Sequence, residues 1–543
     1  MRKSRTFRRC DGVRPMRRWL ISAVGVILAV AAIGLAPARL AAVPGDREHE
    51  GTDLGPGCVP ERPAIAHHAG GVIVDLDKDE KAPIPCVTRT GWRTSEPSIV
   101  VTNAGSLLFQ PTFPKSGLPI GLIRSVDRGA NWDFILHSAV GTPVTDAIDQ
   151  NLWVDRETGR AFWIAIDLPS PTPPRLDRSD DDGKTWFPSN QPCPNRAFGP
   201  LSCGHPQVFT GPPTKSMEHL LQGYPNVVYV IGGGGAPLAL QKSLDGGTTW
   251  GPAVTIPTPA GVSCVGFTNF GLNGVVGRDG TVYVPFTPCQ RPYVAISHDE
   301  GDTWQTVLVA DTLTLGFGML SLDMDKQGNL YSAWVGFTDR LPYLAISRDG
   351  GLHWSTPLMI GAPGVKEAAL PGLVAGKRGQ VAVTYMGSKN APLPFPPSCN
   401  GFSLSCPGYQ NETWHTYITE TWDALHRQPL FWSATLNDPA QPTWYGCSPS
   451  EIGIPTAPGS TLCTASTGSG GPTLGGRVDY YGATMAPDGT PWVGFVQECP
   501  NGLPVAGNPN CPGTLMGTVT DSLWGMVGRL VRVRGEADDN DDQ

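Results

Sequence analysis

Charge is scarce in this chain, and a basic field is missing from it altogether. Asp, Glu, Lys and Arg make up only 16% of its 543 residues and the formal net charge is −8, so there is no extended positive surface of the kind that nucleic-acid phosphates require. Helical periodicity is thin beyond the N-terminus. The thirteen cysteines never adopt Cys-x-x-Cys spacing, which argues against a sulfur-ligated zinc site. What the chain has in abundance is 67 Gly and 54 Pro, a composition that suits short strands joined by many tight turns. An all-β fold follows.

One pattern, Ser-x-Asp-x-Gly-x-x-Trp, occurs five times, beginning at Ser125, Ser179, Ser243, Ser297 and Ser347, with 50 to 64 residues between successive copies. That interval is the length of a four-stranded propeller blade. The residue types are those of a turn: Asp can accept from backbone amides two or three residues ahead, Gly supplies a positive φ, and Trp folds back as an apolar plug between sheets. A second signal, an apolar strand, a Gly-containing turn and another apolar strand, recurs seven times: at 97–109, 152–163, 206–230, 274–284, 320–331, 373–383 and 483–493. Seven inner hairpins predict a β-propeller of seven four-stranded blades. The last blade is one strand short, and Gly70 to Leu76 is expected to close the ring. Residues 437–476 form a long Pro-, Gly-, Ser- and Thr-rich insertion.

The N-terminus carries Arg2, Lys3, Arg5, Arg8, Arg9, Arg14, Arg17 and Arg18 ahead of an apolar run from Trp19 to Ala36. That is the layout of an export signal, cleaved or retained as an anchor. The domain plan is a signal peptide or anchor at 1–42, a linker at 43–69, the propeller at 70–531 and an acidic disordered tail at 532–543. Removing the signal leaves twelve cysteines, an even number that suits an oxidising compartment. Consecutive pairing joins 58 with 86, 193 with 203, 264 with 289, 399 with 406, 447 with 463 and 499 with 511. The expected location is secreted or at the extracytoplasmic cell surface, as a monomer that meets membrane only through a retained anchor.

The five-fold motif resembles the Asp box, or bacterial neuraminidase repeat, of sialidases and other propellers. In that family the box lies between the third and fourth strands of a blade, away from the binding mouth, so the five motif Asp residues read as structural. From about residue 93 to 531 the chain resembles the sialidase superfamily, and more specifically exported bacterial sialidase-like proteins. The resemblance implies three Arg that hold a sugar carboxylate, a Tyr nucleophile activated by a Glu, and an Asp acid/base. The family's early Phe-Arg-Ile-Pro motif has its nearest match in Trp92-Arg93-Thr94-Ser95, which keeps the aromatic residue and the Arg. Asp149 is the simplest candidate for the acid/base, Tyr480 or Tyr481 for the nucleophile and Glu367 for its activator. Seven blades depart from the six of that family.

The loops that enter the innermost strands, and those that join second to third strands, gather on one face of a propeller. They carry Arg93, Glu96, Asp149, His205, Arg291, Arg340, Glu367, Arg477, Asp479, Tyr480 and Tyr481. Charges converging on one mouth suit a polar ligand, although each alone reads more readily as a solvated loop residue, and Glu96 and Asp149 equally as caps of strand-end amides. Asp323-Met-Asp325-Lys-Gln-Gly328 and Asp75-Leu-Asp77-Lys-Asp79 partly match a calcium loop but lack its terminal Glu, so a hairpin turn and a solvated charge run are the readings. No metal or cofactor is called for. Two functions stay open: a glycoside hydrolase acting on sialic acid or a related acidic glycan, and a non-catalytic propeller that binds glycan or a cell-surface protein.

Overall fold

The structure is a computed structural model that describes residues 54–76, 81–94, 96–111, 121–136, 146–168, 174–190, 192, 204–232, 238–262, 271–315, 319–391, 412–445, 453–455, 463–465, 482–498 and 523–533. Seven antiparallel four-stranded sheets follow one another along the chain as the blades of a β-propeller. Blade 1 comprises Ser98–Val101, Leu107–Gln110, Gly121–Ser125 and Asp133–Leu136, and blade 2 comprises Asp146–Val154, Ala161–Leu168, Arg175–Ser179 and Phe187–Pro188. Blade 3 is built from Gln207–Gly211, Val227–Gly232, Ala239–Ser243 and Val254–Thr255. Val275–Val276, Val282–Phe286, Tyr293–Ser297 and Gln305–Leu308 form blade 4, and Leu320–Met324, Leu330–Val335, Pro342–Ser347 and Leu358–Met359 form blade 5. Blade 6 runs through Glu367–Ala375, Val381–Ser388, Thr413–Thr421 and Phe431–Thr435.

Blade 7 takes Gly482–Met485, Pro491–Glu498 and Leu523–Val531 from the C-terminal part of the chain and its outermost strand, Ile84–Arg93, from the N-terminal part. The closing strand is therefore not Gly70 to Leu76. That segment lies on blade 6 instead, where Ile65–His68 pairs with Phe431–Thr435 and Val72–Ile73 adds a further strand outside it. Gly70 to Leu76 contributes only the two-residue strand Val72–Ile73, whereas the ten residues of Ile84–Arg93 pair along Leu523–Val531. The N-terminal segment thus covers the outer edges of two neighbouring blades, edges that would otherwise present unpaired backbone groups. Cys58, bonded to Cys86, fixes this arm to the closing strand as neighbour pairing predicts. Cys289 is also disulfide-bonded, and the remaining predicted pairs fall wholly or partly outside the described residues.

The core lies between blades. The second strand of each blade contributes a fully buried aromatic ring: Phe109, Trp163, Tyr229, Phe286, Tyr331, Tyr385 and Phe495. Broad rings suit this position because each must fill the space between two twisted sheets.

The five motif turns join third to fourth strands and share one geometry. The Ser hydroxyl donates to the Asp carboxylate, as in Ser243 to Asp245 at 2.7 Å, and accepts from the Gly amide, as in Gly247 at 2.9 Å. The carboxylate accepts from the amide four residues ahead, for instance Thr249 to Asp245 at 2.8 Å, one step further than the turn chemistry alone suggests. Both the motif Gly and the residue before it are left-handed: Arg128, Asp182, Gly246, Glu300 and Gly350 all have positive φ. Each turn also docks on the preceding blade. Asp182 of blade 2 accepts from Thr102, from Ser106 at 2.8 Å and from Arg124, all of blade 1, while Glu300 of blade 4 accepts from the Thr214 amide of blade 3 at 2.6 Å. Blade 6 has a sixth turn of this kind, unmarked in the sequence, in which Thr421 donates to Asp423 at 2.6 Å.

Candidate functional site

The innermost strands surround a narrow axial channel. Its lining draws on all seven blades, including Ser98, Asn151, Gln207, Asn273, Ser321 and Gly482, and encloses a cavity of about 50 Å³. That volume admits a few water molecules but not a sugar ring. Arg156, in the first hairpin turn of blade 2, donates to the carbonyls of Val101 at 2.7 Å and Met485 at 2.8 Å and so ties blade 2 to the inner strands of blades 1 and 7.

The mouth is where the backbone departs most from regular strand. Asp149, His205, Asn273 and Leu370, each at or near the start of an inner strand, and Cys289, Gln290 and Arg340, in second-to-third-strand connections, all have φ between 41° and 58°. The inner strands of blades 2 and 6 carry bulges, between Ile148 and Asn151 and between Ala369 and Gly372. Side chains of one inner strand then reach amides of the next. Glu96 accepts from the Asp149 amide at 2.7 Å, Asp149 from the His205 amide at 3.1 Å, and Asn151 from the Val208 amide at 3.0 Å while donating to Asn273 at 3.0 Å. These bonds form a belt from blade 1 to blade 4. The structure brings Glu96, Asp149 and His205 together in it, with Asp149 8% and Glu96 6% exposed.

Arg340 and Glu367 are also brought together. Arg340 Nη1 lies 2.5 Å from Glu367 Oε1, and the two side chains are 1% and 0% exposed. The Arg340 carbonyl accepts from the Ala368 amide at 2.7 Å, so main chain and side chain both tie blade 5 to blade 6. Glu412, which precedes the third strand of blade 6, is buried against this pair; burial and the neighbouring Glu367 carboxylate raise its pKa to about 10. A protonated Glu412 leaves one carboxylate to meet the Arg340 guanidinium, which keeps the cluster near neutral. No local feature of the sequence marks Glu412.

Arg291 takes a different position: its side chain is 42% exposed and pairs with Asp311. Arg93 is half-buried on the closing strand, opposite Trp524, and the adjacent Trp92 stacks on Phe134 at 5.0 Å. Arg477, Asp479, Tyr480 and Tyr481 lie outside the described residues, as does the expected signal segment at 1–42. Asp325 closes a hairpin turn by accepting from the amides of Gln327 and Asn329 and from the Tyr331 hydroxyl. Among the described residues no three His, Cys, Asp or Glu side chains group to hold a metal ion, and no helix is long and apolar enough to cross a membrane.

No protein-family model and no curated protein sequence matches the chain. Solved structures with a similar arrangement include the intramolecular trans-sialidase from Ruminococcus gnavus, at 12% identity over 82% of this chain and 98% of that one, TM-score 0.36. They also include a lectin of Aleuria aurantia, at 10% identity over 64% and 98% of the two chains, TM-score 0.36, and a protein of unknown function from Dyadobacter fermentans, at 14% over 88% and 100%, TM-score 0.35.

Proposed function

We propose that the protein is a non-catalytic propeller, exported to the cell surface, that holds an acidic glycan at its mouth. The observation that carries this reading is the buried Arg340 and Glu367 pair: at 1% and 0% exposure, neither side chain is placed to meet a ligand carboxylate or to activate a nucleophile. Asp149, the candidate acid/base, is likewise engaged by the His205 amide. A hydrolase needs its acid, nucleophile and carboxylate clamp directed at one reacting centre, whereas in the described part of this mouth those residue types join one blade to the next. The exposed Arg291 supports recognition of an acidic ligand, and the Cys58 to Cys86 disulfide supports export.

The test is to present the purified protein with arrayed sialylated and neutral glycans and, in parallel, with fluorogenic sialosides. Retention on acidic glycans without turnover is the expected result. Release of the fluorophore, abolished by Tyr480→Phe or Tyr481→Phe, would replace this reading with the hydrolase.

A further inference from the structure

We propose that the N-terminal strand Ile65–His68 is an acid-releasable strap on blade 6, held by a hydrogen-bond chain whose direction requires His67 to be neutral. The strap pairs Ile65, Ala66 and His67 with Ser433, Trp432 and Phe431. His67 is fully buried and stacks on Phe431 at 5.8 Å. From its Nε2 a chain of contacts runs into the blade: to Ser433 Oγ at 2.7 Å, from there to Thr419 Oγ1 at 2.6 Å, then to Tyr385 Oη at 3.2 Å, and finally to the Ala362 amide at 2.7 Å.

Both ends of this chain have fixed polarity. The Ala362 N–H can only donate, so the arrangement that gives every hydroxyl proton of the chain an acceptor within it runs from Tyr385 to Thr419, from Thr419 to Ser433 and from Ser433 to His67 Nε2. At the other end the His68 carbonyl, 3.0 Å from His67 Nδ1, can only accept, which places the imidazole proton on Nδ1. A second proton on Nε2 would confront the Ser433 hydrogen. Reversing the hydroxyls only moves the mismatch to Tyr385, which would then accept from both Thr419 and Ala362 and leave its own O–H without an acceptor in the chain. Protonation thus leaves a buried donor unmatched wherever the chain adjusts, on top of the cost of burying the imidazolium itself.

Few other groups around His67 titrate. His68, on its own strand, bonds to the Pro429 carbonyl at 3.0 Å, and Tyr385 stacks on Tyr417 at 5.5 Å. On the strands packed against the strap, Glu420 takes a hydrogen bond from Gln380 at 2.9 Å, and Asp423 accepts from Thr421 at 2.6 Å and from the Leu430 amide at 3.0 Å. Burial, opposed by the bond to the His68 carbonyl, holds His67 below its usual 6.5. The released strap binds the proton more readily than the docked one, so docking is at full strength above about pH 6.5 and weakens as pH falls below it.

Hydrogen exchange on the full chain, corrected for intrinsic rates and compared at pH 7.5 and pH 5, tests the proposal. Protection of residues 65–73 should fall by up to about tenfold per pH unit below 6.5, while blades 1 to 4 keep theirs. His67→Gln and His67→Phe cannot titrate, and whichever folds should lose this acid response. An equal response in the variants, strap protection that does not change with pH, or acid opening spread evenly over all blades would overturn it.

Discussion

Gly183, in the motif turn of blade 2, faces Leu108 of blade 1 so closely that a Cβ would sit 2.5 Å from Leu108 Cδ2. The same relation recurs around the ring: a Cβ on Gly301 of blade 4 would meet Leu240 of blade 3 at 2.7 Å. The glycine therefore answers two demands, a left-handed backbone and the approach of one blade to the next. Gly183→Ala is expected to lower stability by about 2–4 kcal/mol, backbone strain and overpacking together. Gly328→Ala isolates the first effect, because its φ is 91° and nothing lies within 4 Å of the new methyl; it should cost about 1–2 kcal/mol. Equal losses in denaturant unfolding would show that the close approach adds nothing.

Asp245→Ala removes an acceptor for the Thr248 and Thr249 amides and the Thr249 hydroxyl. Those threonines are exposed, so water can replace the carboxylate and the loss should be near 1 kcal/mol. Ligand binding should be unchanged. All five motif carboxylates titrate below the usual range. In Asp245 burial alone would raise the pKa, but the bonds from Thr249, Ser243 and Thr248 together outweigh it, and in Asp349 the bond from His353 is the largest effect and the result is about 2. A depressed carboxyl stabilises the fold above its unfolded pKa. Stability should accordingly fall from about pH 4 toward pH 2, and Asp349→Asn should reduce that slope in an acid titration followed by tryptophan fluorescence.

The repeat was legible because its chemistry is local. Ser, Asp and Gly within five residues set one turn, and the spacing of turns sets the blade. The closing strand was not: Gly70 to Leu76 carried the apolar pattern of a strand, whereas Ile84 to Arg93 is fixed as one by partners more than 400 positions away, such as Leu530 opposite Pro85. The partners of the mouth candidates within the described residues were not legible. Position in the blade placed Arg340 and Glu367 on one face; their mutual burial depends on how blade 5 meets blade 6. Glu412 and the strap residue His67 carried no local signal at all, since a buried Glu and a buried His read like any surface residue until the neighbouring sheets are in place.

Glu412→Gln should stabilise the protein at neutral and alkaline pH. Burial and Glu367 raise the carboxyl to about 10, so the folded state holds a proton that the unfolded state releases near the ordinary Glu value. Stability must then decline with rising pH between those limits. Glutamine keeps the shape of the protonated acid and cannot ionise. Urea midpoints taken from pH 6 to pH 10 should fall less steeply for the variant, and parallel lines for the two proteins would count against a protonated Glu412 in the folded state.

Arg340 and Arg291 should respond to truncation in opposite ways, although both follow second strands on the mouth face. Arg340 is 1% exposed against a Glu367 of 0%, so Arg340→Ala strands a buried carboxylate and is expected to cost about 3–5 kcal/mol. Arg340→Ala combined with Glu367→Gln should recover much of that loss, because the remaining group is no longer charged. Arg291 and Asp311 are 42% and 78% exposed, and solvent screens such a pair to about 0–1 kcal/mol, so Arg291→Ala should leave the melting temperature almost unchanged. Its effect should appear in binding: weaker retention on acidic glycans, with neutral glycans unaffected. If Arg340→Ala keeps wild-type stability and loses acidic-glycan binding instead, then the buried pair opens to ligand, and the division of labour between scaffold arginine and recognition arginine must be reversed.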